Sequence, residues 1–175
     1  MTKRAVTRTR VPTIGSAARR VLELCRERAL KLATAESCTG GLVIAALTEI
    51  AGSSDVVERG FVTYSDAAKQ AMLGVTSLTL DRSGAVSRET AEEMARGALA
   101  QSDADLAVAI TGIAGPGGAT PGKPVGLVHF AAAARGGQLI HRERRYGAVG
   151  RRHVRLKSVA EALAMLERLA SRKDA

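Results

Sequence analysis

The sequence is poor in aromatic residues and in long apolar runs. It has no tryptophan, two tyrosines and two phenylalanines, so a surface that stacks the bases of single-stranded nucleic acid has little material to use. No apolar run approaches the ~18 residues that a membrane-spanning helix needs. The first ten residues are basic and lack the apolar stretch of a secretory signal. We therefore expect a protein that does not insert into a membrane.

Cysteine and histidine are also scarce. The two cysteines, Cys25 and Cys38, form no CxxC pair, and His129, His141 and His153 stand apart from any cysteine or paired carboxylates. Because zinc sites need such ligands at short, regular spacings, no metal site is expected. The same cysteine usage predicts a reducing, cytoplasmic setting.

Positive charge, in contrast, is abundant. Lysine and arginine number 26 and aspartate and glutamate 17, a net charge of +9, which suits an anionic ligand, a phosphate-bearing substrate or nucleic acid. A solvated surface with basic ends explains the excess equally well, so charge alone does not choose among these functions. We interpret residues 1–16 as a basic, disordered tail and residues 17–175 as one domain.

Apolar side chains recur in patterns that are typical of an α/β protein. Residues 17–31 repeat them at helical spacing, and short apolar runs then alternate with further helical segments. The predicted strands are residues 32–35, 61–64, 106–110, 125–132 and 138–146, and the other predicted helices are residues 42–50, 67–73, 149–169 and one capped by Ser87. This alternation predicts a single-domain, three-layer α/β/α sandwich. A predicted hairpin at the end makes the central sheet mixed, although mostly parallel.

The first candidate for chemistry is the run Glu36-Ser37-Cys38-Thr39-Gly40-Gly41, where a predicted strand meets a predicted helix. Backbone N–H groups at such a helix start can bind a phosphate or a developing oxyanion. A serine at this turn can be presented as a nucleophile, as in other strand-to-helix elbows. The alternative is that Ser37 and Thr39 only cap the helix.

A hydroxyl nucleophile needs a base, and no histidine lies near the glycine motifs. Lys69 follows Tyr64 by five residues and falls in the first turn of a helix that we expect Asp66 to cap. The positive end of the helix dipole disfavours an ammonium there, so Lys69 can become a neutral base. Tyr64 can then relay a proton or orient the serine and lysine. The alternative is a surface lysine and a core tyrosine.

A third candidate is the glycine-rich loop of residues 111–118, which follows an apolar strand. Glycines at the carboxyl end of a strand can bring backbone donors to a phosphate or a ribose. The loop matches neither the GxxxxGK[ST] nor the GxGxxG pattern. A purely structural loop therefore remains the alternative.

Taken together, these segments resemble the CinA C-terminal domain, or PncC-type nicotinamide-nucleotide amidohydrolases. The resemblance extends from about residue 17 to the end of the chain. The matching stretches are TAESCTGG at 34–41, AGSS at 51–54, VTYSDAAKQAMLGV at 62–75, GAVSRETAEEMA at 84–95, AITGIAGPGG at 109–118 and KPVGLVHFA at 123–131.

The resemblance implies hydrolysis of the carboxamide of nicotinamide mononucleotide to nicotinic acid mononucleotide and ammonia, with no metal or organic cofactor. It implies a nucleophilic Ser37 with catalytic Tyr64 and Lys69. The residues assigned to substrate binding are Glu36, Thr39, Gly40, Thr111, Gly112, Ala114, Gly115 and Arg151, the last of these at the substrate phosphate. The implied partners are a small nucleotide and a second copy of the chain, in at least a dimer, with no requirement for nucleic acid.

The sequence departs from the pattern of this family at three positions. Asp66 stands where asparagine is frequent, Arg59 where a second glycine is frequent, and Gly150 where an aspartate precedes the arginine. Asp66 motivates one alternative function, a nucleotide-binding or regulatory protein, associated with competence or DNA damage, that has lost turnover. The charge of +9 motivates another, a nucleic-acid-binding accessory protein whose affinity would depend strongly on salt.

Overall fold

A five-stranded sheet lies between two layers of helices in the computed structural model, which describes residues 13–172. The elements are α1 (Ile14–Glu27), β1 (Leu32–Glu36), α2 (Leu42–Thr48), a 3₁₀ turn (Ser53–Asp55), β2 (Val57–Val62), α3 (Asp66–Leu73), α4 (Ser77–Ser83), α5 (Arg88–Ala100), β3 (Leu106–Gly112), β4 (Leu127–Ala134), β5 (Leu139–Arg145) and α6 (Arg151–Ala170). The strand order is β2-β1-β3-β4-β5. These observations confirm the predicted α/β/α class.

The three parallel strands end together at one edge of the sheet. Glu36, the last residue of β1, pairs in register with Val62 of β2 and Ile110 of β3. β4 and β5 run antiparallel as the predicted hairpin, which makes the sheet mixed. In open α/β sheets ligands bind outside the carboxyl ends of the strands, so this edge is where the loops of the site gather.

The two faces of the sheet differ in the size of their side chains. One face carries large residues such as Leu106, Ile110 and Phe130, which pack under α1, α2 and α6. The other face carries small residues, and α5 packs on it. These residues are Ala33, Ala35, Ala107, Ala109, Ala131 and Ala133. Because alanine side chains are small, α5 packs close to the sheet. Its position in turn fixes that of α3, which lies beside it.

Several element boundaries differ from the sequence prediction. α1 begins at Ile14, capped by the Thr13 hydroxyl, so residues 14–16 are helical rather than part of the predicted tail. Residues 1–12 of that tail lie outside the described residues. The helix α4 was not predicted, because none of its side chains is buried and it therefore has no apolar stripe.

The edge strand β2 covers residues 57–62 rather than the predicted 61–64. Its first four residues, Val57 to Gly60, are only half-buried or exposed, so they show no clear alternation of apolar and polar side chains. The cap of α3 was also predicted wrongly. Ser65, not Asp66, accepts the Ala68 N–H at 3.1 Å, and Asp66 is the first helical residue.

No helix among residues 13–172 combines the length and the apolar character that crossing a membrane requires.

Candidate active site

A cavity of about 240 Å³ opens at the carboxyl ends of β1 and β3. It brings together three segments that are far apart in the sequence: the turn after β1, the start of α3 and the glycine-rich loop after β3. The predicted site residues on its wall are Ser37, Tyr64, Lys69, Thr111, Gly112, Ala114, Gly115 and Arg151. Its other lining residues are Cys38, Asp66, Ala85, Val86, Ile113, Gly117 and Gly118.

Ser37 and Lys69 meet inside this cavity. The Lys69 Nζ lies 3.3 Å from the Ser37 Oγ and donates a second hydrogen bond to the Thr63 carbonyl at 3.0 Å. The lysine is 1% exposed and the serine 8%. Burial lowers the pKa of Lys69, and the negative charge of Asp66, 3.9 Å away, offsets part of that fall. A buried amine beside a hydroxyl is an arrangement that can activate a nucleophile.

Lys69 is the fourth residue of α3, and its side chain extends from the end of the first turn towards Ser37. The Ser65 cap sets the start of the helix, and the lysine stands one turn further along, with its backbone N–H on the Ser65 carbonyl. The partial positive charge at a helix N-terminus disfavours an ammonium there. The helix dipole and burial therefore act in the same direction on Lys69.

Tyr64 lies at the mouth of the cavity rather than in the core. Its side chain is 60% exposed, and its hydroxyl accepts a hydrogen bond from the Arg151 guanidinium at 2.8 Å. Arg151 also donates to the Gly115 carbonyl at 3.0 Å. Within the described residues no hydrogen bond joins Tyr64 to Ser37 or Lys69. The structure thus places Tyr64 beside the lysine and serine, in contact with the predicted phosphate residue.

Glu36 does not lie on the cavity wall, because alternate residues of a strand point to opposite faces of the sheet. Its fully buried carboxylate turns towards α2. It accepts the N–H groups of Gly41 and Val43 at 3.0 Å each and of Ile44 at 2.9 Å. The N-terminus of α2, expected to bind a phosphate or an oxyanion, is thus occupied by a side chain of the protein.

Thr39 and Gly40 are also absent from the cavity wall. The Gly40 N–H donates to the Ser37 carbonyl at 3.0 Å, so it closes the turn and is not a free oxyanion donor. The positive φ values of Gly40 and Gly41, +58° and +92°, allow this tight turn. These residues therefore shape the turn that carries Ser37.

Arg155 also contacts this region, and no role was predicted for it from the sequence. Its guanidinium donates to the carbonyls of Cys38 and Thr39, at 3.2 and 2.8 Å. It lies one helical turn after Arg151 on α6, so the two side chains share a face of the helix. The four-residue spacing of the two arginines could have predicted this role. Through them α6 contacts both the serine turn and the cavity mouth.

The loop of residues 84–87 forms a wall that was likewise missed. Ala85 and Val86 line the cavity, and the Thr111 hydroxyl donates to the Ala85 carbonyl at 2.6 Å. Thr111, expected to contact the nucleotide, thus fixes the opposite wall of the cavity. The stretch GAVSRETAEEMA contains this loop and was the only sequence signal for it.

Cys38, next to the serine, is a chemically plausible rival nucleophile. Burial raises the pKa of its thiol to about 12, so the reactive thiolate form is scarce at neutral pH. No group of three or more histidine, cysteine, aspartate or glutamate side chains in the described part of the chain is arranged to hold a metal ion. The groups suited to chemistry on this wall are therefore Ser37 and Lys69.

Comparison with known proteins identifies relatives over almost the whole chain. Residues 15–170 match the CinA C-terminal domain. A CinA-like protein of Synechococcus sp. (strain RCC307) is 52% identical over 147 residues, which cover 83% of this chain and 35% of that protein. A CinA-like protein of Mycolicibacterium vanbaalenii is 53% identical over 137 residues, covering 78% and 32%. The chain thus spans about a third of the length of these relatives.

Solved structures of similar proteins have the same fold. The competence/damage inducible protein CihA from Agrobacterium tumefaciens superposes with a TM-score of 0.89 at 56% identity, covering 92% of this chain and 98% of that one. The competence damage-inducible protein A from Klebsiella pneumoniae gives 0.87 at 38% identity, covering 91% and 99%. The described chain therefore belongs to the CinA C-terminal domain family.

Proposed function

We propose that this protein is an amidohydrolase that converts nicotinamide mononucleotide into nicotinic acid mononucleotide and ammonia, as part of pyridine nucleotide salvage. Membership of the CinA family is compatible with amidohydrolase activity. The observation that carries the proposal is the buried Lys69 amine, 3.3 Å from the Ser37 hydroxyl in a cavity. The substrate itself rests on the resemblance of the motifs around these residues.

The first half of the proposed reaction forms an ester on Ser37. Neutral Lys69 takes the hydroxyl proton as the Ser37 oxygen attacks the carboxamide carbon. The negative charge that develops on the amide oxygen needs a hydrogen-bond donor. Since the Gly40 N–H is already engaged, we assign this role to the N–H of Cys38, which follows the serine and lies on the cavity wall.

The second half releases both products. The protonated Lys69 gives its proton to the departing nitrogen, either directly or through the Tyr64 hydroxyl at the cavity mouth, and the nitrogen leaves as ammonia when the C–N bond breaks. Water then attacks the ester, with Lys69 again accepting a proton. When the ester C–O bond breaks, the acid is released and Lys69 returns the proton taken from water to the Ser37 oxygen. Lys69 thus passes one proton to ammonia and one to Ser37, and ends the cycle neutral.

The other end of the cavity suits the anionic part of a nucleotide. Arg151 is exposed at the mouth and presents its guanidinium beside the glycine loop. A planar guanidinium binds phosphate through two parallel hydrogen bonds. We propose that the substrate phosphate replaces or adds to the present contacts of Arg151, while the glycine loop passes along the ribose.

Ammonia release from nicotinamide mononucleotide by the purified protein tests this proposal. We expect Ser37→Ala and Lys69→Ala each to lower kcat by at least about a thousand-fold, because the two groups act as one unit. Ser54→Ala and Lys157→Ala, exposed residues outside the cavity, are the matched controls and should keep wild-type rates.

Full activity in Lys69→Ala would refute the mechanism. Tight binding of nicotinamide mononucleotide by the wild type without ammonia release would favour the alternative of a regulatory protein. The cytoplasmic setting and the homo-oligomer stay predictions.

A further inference from the structure

Asp66 is the first residue of α3 and does not cap the helix; its side chain lies in the cavity instead. Its carboxylate lines the cavity beside Lys69, with 3.9 Å between the Asp66 Oδ1 and the Lys69 Nζ. The aspartate side chain is 59% exposed, whereas the lysine side chain is 1% exposed. Asp66 is therefore a solvated negative charge held next to a buried amine.

Few other ionisable groups face this amine. Cys38 approaches from the turn after β1, and Tyr64 and Arg151 lie at the cavity mouth. The Tyr64 hydroxyl and the Arg151 guanidinium hydrogen-bond to each other. Among the described residues, α5 and β3 contribute no charged side chain to the cavity wall. Among residues 13–172, Asp66 is accordingly the one carboxylate on that wall.

Burial and Asp66 act on Lys69 in opposite directions. Loss of water disfavours the ammonium, whereas a carboxylate about 4 Å away favours it. The pKa of Lys69 is lowered by burial and partly restored by Asp66. Only a neutral amine can accept the Ser37 proton, so the balance between these two effects determines the pH at which the base becomes available.

We infer that Asp66 acts through Lys69 and not on the substrate: its charge, held beside the amine, sets the pH range in which Lys69 can act as a base. The inference rests on the proposed function for its effect on turnover. Its effect on the protonation of Lys69 is independent of any substrate.

The direct test is an NMR titration of protein labelled with ¹³C at the lysine ε-carbon. The Lys69 signal is the one that disappears in Lys69→Met. In Asp66→Asn we expect the titration midpoint of this signal to fall by about half a unit to one unit, as Coulomb's law gives for the loss of one charge at this distance in a solvated setting. Asp81→Asn, which removes an equal exposed charge outside the cavity, is the control and should leave the midpoint unchanged.

The pH profile of ammonia release is the second readout. Lys69 of Asp66→Asn becomes neutral at lower pH. The acidic limb of the pH profile of kcat/KM should therefore shift to lower pH by the same amount. The variant should then be faster than the wild type at pH values below the wild-type limb. Asp66→Glu, which keeps the charge, should have a limb close to that of the wild type.

Two results would overturn the inference. One is a Lys69 midpoint that is the same in Asp66→Asn and wild type. The other is a fall in kcat/KM by a constant factor at every pH, which is what a purely structural role predicts. A shifted Lys69 midpoint in a protein that releases no ammonia would uphold the inference on Asp66 and reject the proposed function.

Discussion

Among individual residues, Glu36 and Lys69 are buried ionisable side chains that shape the site, and both have defined hydrogen-bond partners. An ionised group away from water is costly unless hydrogen bonds satisfy it. Glu36 meets this requirement through three backbone N–H groups. The Lys69 amine, which must be neutral to act as a base, contacts the Ser37 hydroxyl and the Thr63 carbonyl. Glu36 therefore stabilises the turn that presents Ser37 and makes no contact with the cavity.

Replacing Glu36 tests this structural role. In Glu36→Gln an amide NH₂ group replaces one carboxylate oxygen and faces a backbone N–H, leaving at least one buried donor unpaired. We expect a loss of about 2–3 kcal/mol in the free energy of unfolding, measured by urea denaturation. Glu49→Gln, exposed at the other end of α2, should change it by less than about 0.5 kcal/mol. Equal stabilities of Glu36→Gln and the wild type would contradict this account.

At the scale of elements, the position of Lys69 depends on how closely α3 and α5 approach each other. A Cβ atom at Gly97 of α5 would lie 1.9 Å from the Leu73 carbonyl oxygen of α3. The approach is possible only because Gly97 has no side chain, and the obstructing atom belongs to the backbone. The last turn of α3 thus packs in direct contact with the α5 backbone, and Lys69 lies one turn before this contact.

Gly97→Ala should therefore disturb both stability and activity. The added methyl group forces α3 away from α5, and we expect a loss of about 1–3 kcal/mol or more, measured by thermal unfolding. Turnover should fall as well, because Lys69 moves with α3. The matched control is Gly15→Ala in α1, where a Cβ would meet no atom within 4 Å. It should be neutral or slightly stabilising, and similar melting temperatures for both variants would show that the close approach is unimportant.

At the scale of the whole molecule, ion pairs connect the antiparallel edge of the sheet to α6. Glu161 of α6 accepts hydrogen bonds from Arg142 at 2.6 Å and Arg144 at 2.9 Å, both on β5. Burial alone would raise the Glu161 pKa, but the two arginines outweigh it and hold the pKa below its usual value of 4.5. The same helix carries Arg151 and Arg155 in its first two turns, so this anchor also helps to hold the helix that reaches the site.

The Glu161 contribution to stability should depend on pH. Since its folded-state pKa is depressed, the contribution is complete above about pH 4.5 and is lost as the pH falls through the lower folded-state value. We expect Glu161→Gln to be less stable than wild type by about 1–2 kcal/mol at pH 7, with the difference shrinking in acid. Urea denaturation at pH 7 and pH 3 measures this, with the exposed Glu23→Gln as control. A difference that does not change with pH would contradict the prediction.

The layer architecture and the side chains of the candidate site could be predicted from signals along the chain. Periodic apolar residues defined most elements within a few residues, and the glycine- and serine-containing motifs indicated Ser37, Lys69 and the loop after β3. The alternation of side chains along β1 also predicts the orientation of Glu36. Its side chain lies on the same face of the sheet as that of Leu32, and the Ser37 side chain points to the other face. Such local signals depend only on neighbours along the chain.

Which polar groups contact each other depends on how the helices and the sheet pack in three dimensions. The contacts of Lys69 with Ser37, of Arg155 with the serine turn and of Thr111 with Ala85 join residues 26 to 117 positions apart. The absence of an apolar stripe hid α4, and the exposed start of β2 hid the true extent of that strand. Burial, which lowers the pKa of Lys69 and raises that of Cys38, arises from the packing of helices on the sheet. No pattern along the chain reports it, because it is a property of the assembled layers.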